Sequence, residues 1–125
     1  MKAFRRAVEA KDLTALAALL ADDVVFSSPV SFHSYRGREQ VGWILATVAT
    51  VFEDFVYVDE LENGAHSMLR FRARIGERAA EGVDLIEQDE HGAIRALTVM
   101  IRPLSALQAL AEAMAARFAK KTEGT

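Results

Sequence analysis

Asp84 lies inside GVDLIEQ (82–88), among Val83, Leu85 and Ile86, where the pattern otherwise reads as a strand. A carboxylate in such a run is expensive to bury, because loss of water disfavours its charged form. Three outcomes are open. A buried, unpaired carboxyl titrates upward and can donate or shuttle a proton. A structural carboxylate would pair with Arg70, Arg72, Arg74 or Arg95 on neighbouring strands, and a third kind would face solvent. Asp84 shares its strand face with Ile86 and Gln88, while Val83, Leu85 and Glu87 take the other, so periodicity alone does not choose.

A second group sits in VSFHSYRG (30–37). His33 titrates near neutrality and could serve as acid or base, and Tyr35 could donate a hydrogen bond to a ligand carbonyl. A surface loop with a stacked ring is the plainer alternative. Ser28 and Phe32 are weaker candidates in the same region, Ser28 also being free to bond backbone in the turn. Trp43 is either core or a flat apolar wall for a ligand. His66 falls on the polar face of its strand and His91 in a turn. The three histidines have no metal-ligand spacing, so no metal is expected. The chain has no cysteine, no GxSxG, no Walker A and no GxGxxG after a strand. Thiol, serine-hydrolase and nucleotide chemistries are thereby removed, and no cofactor is expected.

The elements that must position these groups follow from pattern. Residues 2–21 read as two helices broken near Lys11-Asp12, with Asp12 capping the second and Asp22-Asp23 ending it. VVFSS (24–28) is a strand stopped by Pro29, 30–37 a loop or short hairpin arm, and 38–52 a third helix. Strands follow over 55–61, 65–75, 79–88 and 94–101, with Asn63-Gly64 a strong hairpin signal. In AHSMLRFRARI (65–75), Ala, Ser, Leu, Phe, Ala and Ile alternate with His66, Met68, Arg70, Arg72 and Arg74, which predicts one core face and one solvent or partner face. Pro103 opens a last helix striped with Leu104, Leu107, Leu110, Met114 and Phe118. The order predicts an α+β fold, a curved antiparallel sheet covered by helices around a ligand-sized concavity.

The chain of 125 residues is expected to form one domain, folded over 1–119 with a frayed tail at 120–125. Its net charge of −3 leaves no excess of Lys and Arg to read phosphates, so no nucleic-acid partner is expected. MKAFRRAVEAKD lacks the apolar core of a leader, and no stretch approaches the roughly 18 apolar residues of a membrane span. A cytoplasmic protein without a membrane partner is the expectation.

AKDLTALAALLADDVVFSSP (10–29), YRGREQV (35–41) and VDLIEQDEHGAIRALTV (83–99), in this element order, resemble the nuclear transport factor 2-like superfamily. This is the cone-shaped α+β fold of ketosteroid isomerases and SnoaL-like cyclases. The resemblance implies that Asp84 stands where the isomerases keep a protonated aspartate in the oxyanion hole. It also implies that Ser28 occupies the place of their general-base aspartate and that Phe4 lies near their oxyanion tyrosine, without its hydroxyl. Leu20 and Leu45 stand for supporting tyrosines, and the helix after Arg102 is additional to that plan. One of three principal groups is kept, which argues against a steroid isomerase of the known design.

The expected function is a pocket for a small apolar ligand. Asp84, His33 and Tyr35 are the candidates for acid/base chemistry of isomerase, cyclase, dehydratase or hydrolase type, and Ser28, Phe32, Trp43 and Phe4 for ligand contact. The alternatives are a non-catalytic binder on the same scaffold and an association module, with homodimers formed through the outer sheet face.

Overall fold

The computed structural model describes residues 1–123, with side chains through Lys121. Two short helices, α1 (Lys2–Glu9) and α2 (Leu13–Ala18), precede β1 (Leu20–Ser27) and β2 (Ser34–Arg36). Helix α3 (Arg38–Ala49) leads into four long strands, β3 (Glu53–Asn63), β4 (His66–Ile75), β5 (Arg78–Gln88) and β6 (Ile94–Arg102), and α4 (Leu104–Glu123) closes the chain. The strands form one curved, unclosed sheet in the order β2-β1-β6-β5-β4-β3. The helices pack on its concave face, and the α+β class expected from the sequence is the one observed.

Several boundaries differ for physical reasons. Asp12 does cap α2, its Oδ1 accepting from the Ala15 amide at 3.1 Å. That helix ends at Ala18, however, and Leu20 already belongs to β1, opposite Ile94. Asp22 and Asp23 are therefore not a helix stop. They sit exposed where the β1–β6 register shifts between Leu20 and Val25, and Arg38 reaches Asp22 at 3.0 Å. β1 and β6 run parallel, so the sheet is mixed rather than wholly antiparallel. No hairpin joins these two strands, and nothing in the local sequence fixes their relative direction. Helix α4 continues past residue 119 to Glu123, and residues 124 and 125 of the expected tail lie outside the described residues.

The pleat of β4 behaves as its alternation demands. Ser67, Leu69, Phe71, Ala73 and Ile75 are buried beneath the helices. Met68, Arg70, Arg72 and Arg74 point to the outer face. There Arg70 pairs with Asp59 at 2.5 Å and Glu81 at 3.2 Å, Arg72 with Glu81 at 3.5 Å, and Arg74 with Glu53 at 2.9 Å and Asp54 at 3.1 Å. Arg95 takes Glu87 at 2.6 Å. Every arginine that could have neutralised Asp84 is thus occupied on the opposite side of the sheet.

Gly82 is the one inward position of β5 where a side chain would not fit. A Cβ there would stand 2.5 Å from the Phe71 ring and 2.6 Å from the Met100 carbonyl oxygen. The vacancy lets Phe71 lie flat across β5, where it also packs against Phe52, Phe55 and Tyr57. Gly82→Ala is expected to destabilise the protein by roughly 1–3 kcal/mol, the usual range for overpacking a core, as read by urea denaturation.

Candidate functional site

Between the concave sheet face and the helices lies a cavity of about 270 Å³. Its volume falls just below the range of roughly 300–1,000 Å³ common for small-molecule sites, which suits a compact ligand. Phe4 and Ala7 of α1, Ile44, Leu45 and Val48 of α3, and Leu110 and Met114 of α4 give it an apolar roof. The floor is Phe71, Leu97, Val99 and Ile101, with Asp84 set among them. The inward positions of β5 alternate from Ala80 to Ile86, so Asp84 falls on the core side with Gly82 and Ile86.

Asp84 is 7% exposed and meets a single hydroxyl: Tyr57 Oη donates to Asp84 Oδ2 at 2.5 Å. Burial pushes the Asp84 carboxyl from an ordinary 3.8 up to about 7, with the bond from Tyr57 pulling part of that shift back. Burial likewise raises the Tyr57 phenol, and the adjacent Asp84 charge raises it further, so Tyr57 stays neutral. The pair therefore holds one proton above pH 7 and two below it. No buried side-chain nitrogen or oxygen lacks a partner among the described residues. The opening alternatives for Asp84 resolve to a buried carboxyl without a cation.

Tyr57 was not among the candidates read from the sequence, and the reason is a one-residue register change. From Asn63↔His66 to Asp59↔Arg70 the β3–β4 hairpin runs in regular register, which if continued would place Tyr57 on the arginine face. Between Asp59 and Tyr57 the register shifts, and Tyr57 pairs with Phe71 instead. The bulge turns its ring inward, perpendicular to Phe71, and the hydroxyl reaches across β4 to Asp84 on β5. The alternation Phe55-x-Tyr57 puts both rings on one face of the strand, but nothing in it says which face that is.

The structure brings Asp84, Tyr35, Ser28 and Phe4 to the cavity wall and leaves His33, Phe32 and Trp43 off it. His33 is exposed and stands edge-on to the outer side of Tyr35, ring centroids 4.9 Å apart. Phe32 is fully exposed and is not among the residues that line the cavity. On α3 the inward stripe is Val41, Ile44, Leu45 and Val48, and Trp43 is out of phase with it. Trp43 packs beside the cavity on Phe118 at 5.1 Å, with Lys121 Nζ 4.0 Å from its ring. Ser28 Oγ accepts from the Val30 amide at 3.1 Å, the backbone role open to a serine before a turn. No group of three or more His, Asp or Glu able to hold a metal occurs among the described residues.

A family model of the SnoaL-like domain matches residues 1–99. The chain belongs to that family. A steroid delta-isomerase structure from Pseudomonas aeruginosa is similar at 43% identity and TM-score 0.91, covering 96% of this chain and 89% of its own. Coverage of that extent cannot be reached without α4, so the closing helix is common to both. A cystatin-like-fold protein from Silicibacter pomeroyi is 36% identical, TM-score 0.90, covering 93% of this chain and 82% of that one. An NTF2-like protein from Mesorhizobium loti shares the fold at 20% identity and TM-score 0.74, covering 82% and 88%. No curated protein matches the chain. No helix among the described residues is long and apolar enough to cross a membrane.

Because folding raises the Asp84 pKa, the folded state holds that proton more tightly than the unfolded chain does. The associated stability is complete below about pH 3.8 and is lost as pH rises to about 7. Between pH 4 and pH 8 the wild type is expected to lose stability relative to Asp84→Asn, by ~1.4 kcal/mol for each pH unit of that window at most. Thermal melting of both proteins across this range checks it, and parallel curves would contradict a buried, uncompensated carboxyl.

Proposed function

We propose that this protein binds a small apolar compound and holds its carbonyl or hydroxyl oxygen at the Tyr57–Asp84 pair, without a cofactor. The observation that carries the reading is the 2.5 Å bond between these two groups, in a cavity walled mostly by hydrocarbon. Above pH 7 the single proton lies between Tyr57 and the Asp84 carboxylate, and the pair is closed on itself. Below pH 7 the second proton is free to meet a ligand oxygen, and each hydrogen bond polarises the other. A preorganised donor pair at a dry blind end lowers the energy of an oxygen that gains negative charge, as in enolisation. Tyr57 thus supplies the hydroxyl that Phe4 lacks, from strand β3 instead of helix α1. The Pseudomonas aeruginosa relative is named for an isomerisation, which supports proton-shift chemistry on a carbonyl compound as the reaction class.

The second reading is a binder without turnover. Ser28, engaged by the Val30 amide, is no base near neutral pH, and Asp84 is the one carboxyl on the cavity wall among the described residues. A proton donor without a matching acceptor fits binding as well as it fits a one-donor reaction.

The outer sheet face, where Val56, Leu85 and Met100 stand exposed among the ion pairs, is proposed as the surface that pairs two copies. Arg72→Glu would set like charges against Glu81 across the β4–β5 pair. It is expected to convert a dimer into monomer by light scattering; a wild type that is monomeric at tens of micromolar would end this part of the reading. The cytoplasm is the proposed location.

For the pocket itself, 4-phenylcyclohexanone serves as a neutral ketone probe in calorimetry. Its affinity is expected to be highest near pH 6 and to fall as pH rises through about 7, when Asp84 ionises and the free donor is lost. Tyr57→Phe should weaken binding about tenfold at pH 6, the size of one lost hydrogen bond, and Asp84→Asn should remove the pH dependence. Constant affinity from pH 6 to 8.5 in the wild type would overturn the donor assignment. Exchange of the ketone α-protons in D2O, present in wild type and lost in Asp84→Asn, separates an enzyme from a binder.

A further inference from the structure

The residues that line the cavity and are also exposed mark its mouth: Lys11 and Leu13 at the α1–α2 turn, Val30 and Ser31 after β1, and Ala115 on α4. Lys11 closes α1 in a left-handed conformation, φ 53°, its amide donating to Val8 O at 3.1 Å and the Asp12 amide to Ala7 O at 2.9 Å. Glycine or asparagine takes such a position more easily, so lysine stands there at a steric cost. The helix-end carbonyls that a lysine could otherwise serve are already taken by the amides of Ala10, Lys11 and Asp12. Its ammonium has no ion pair or hydrogen bond among the described residues, although the arginines of the outer face are matched with acids.

Ser28 and Ser31 add to this. Each Oγ accepts from a backbone amide, Ser28 from Val30 and Ser31 from His33, both at 3.1 Å. Each hydroxyl proton is left to donate, with no acceptor found for it among the described residues. Lys11, Ser28 and Ser31 thus line the open side of the cavity, its walls are mostly hydrocarbon, and among the described residues its one carboxyl is Asp84.

We infer that the natural ligand is bipolar: an apolar body with a neutral oxygen at one end and a carboxylate at the other, the carboxylate held at the mouth by Lys11 with Ser28 and Ser31. This assigns Lys11 as a specificity-determining residue and a keto- or hydroxy-carboxylic acid as the ligand class, and it rests on the reading of Tyr57–Asp84 as the anchor for the oxygen. A purely hydrocarbon ligand with one oxygen would leave the mouth donors to water.

The test uses two probes of one skeleton, 4-phenylcyclohexanone and 4-(4-oxocyclohexyl)benzoate, titrated by calorimetry at pH 6 into wild type, Lys11→Met, Lys11→Arg and Tyr57→Phe. The carboxylate is expected to bind wild type about five- to tenfold more tightly than the neutral ketone. That preference should shrink in about 0.5 M salt, since the mouth is open to screening. It should vanish in Lys11→Met, persist in Lys11→Arg, and survive Tyr57→Phe, which weakens both probes alike. Equal affinities in wild type, or a preference that persists in Lys11→Met, would overturn the inference while leaving the pocket reading intact. A Lys11→Met protein that weakens both probes equally would also overturn it, by assigning Lys11 to the turn alone. Failure of both probes to bind would refute the pocket reading and the inference with it.

Discussion

A carboxyl without a cation, sealed under hydrocarbon, is the constraint to which the rest of this structure is fitted. Placing a charge at Asp84 costs several kcal/mol in a medium of low dielectric, so the group responds by holding its proton up to about pH 7. Tyr57 is what makes the position tolerable in either state. Its hydroxyl can donate to the carboxylate or accept from the acid, so the pair stays hydrogen-bonded when the proton leaves. The alternative solution, an arginine across the strand, would have fixed Asp84 as a permanent anion with no proton to offer. The sheet withholds that solution by placing all its pairing arginines on the other face.

The two faces of the sheet thus do opposite electrostatic work from the same strands. Along β4 and β5, alternate residues build a ladder of solvent-exposed ion pairs, each individually weak. The residues between them build a nearly apolar floor. Two local irregularities make that floor into a site. The bulge in β3 moves Tyr57 from the charged face to the apolar one, and the missing side chain of Gly82 lets Phe71 fill the space beside it. Without the first there is no hydroxyl for Asp84. Without the second Phe71 would be displaced, and Tyr57 with it.

This division also explains what could be read in the sequence. Strand β4 was legible to within a residue because its alternation is strict and its length sufficient, whereas β5 mixes apolar and polar residues on both faces, so the inward phase of Asp84 with Ile86 emerged only in the fold. The α+β order, the hairpin at Asn63-Gly64 and the closing helix followed from period and turn chemistry. The failures share one cause: each depended on how strands meet rather than on what one strand contains. Leu20 reads as helix by composition and becomes strand by pairing with Ile94. The parallel β1–β6 pair joins segments far apart in the chain, with no turn to fix its sense. Tyr57 needed a bulge that leaves no mark in FVYVDEL. For His33, Phe32 and Trp43, residue type suggested chemistry, but phase and loop direction carried the side chains outside the wall.

Membership of the SnoaL-like family supplies the frame but not the polar set, and the differences are coherent. A site with a buried base and an oxyanion donor can move a proton from carbon to carbon. With Ser28 tied to the turn, the proposed donor half is what is left, drawn from Asp84 and its hydrogen-bonded tyrosine of β3. A donor pair alone discriminates poorly, because any small ketone or alcohol satisfies it. Selectivity then has to come from the far end of the ligand, where the wall meets solvent. That is where Lys11, Ser28 and Ser31 line the cavity. In the proposed reading, the blind end decides whether an oxygen is activated, and the mouth decides whose oxygen it is.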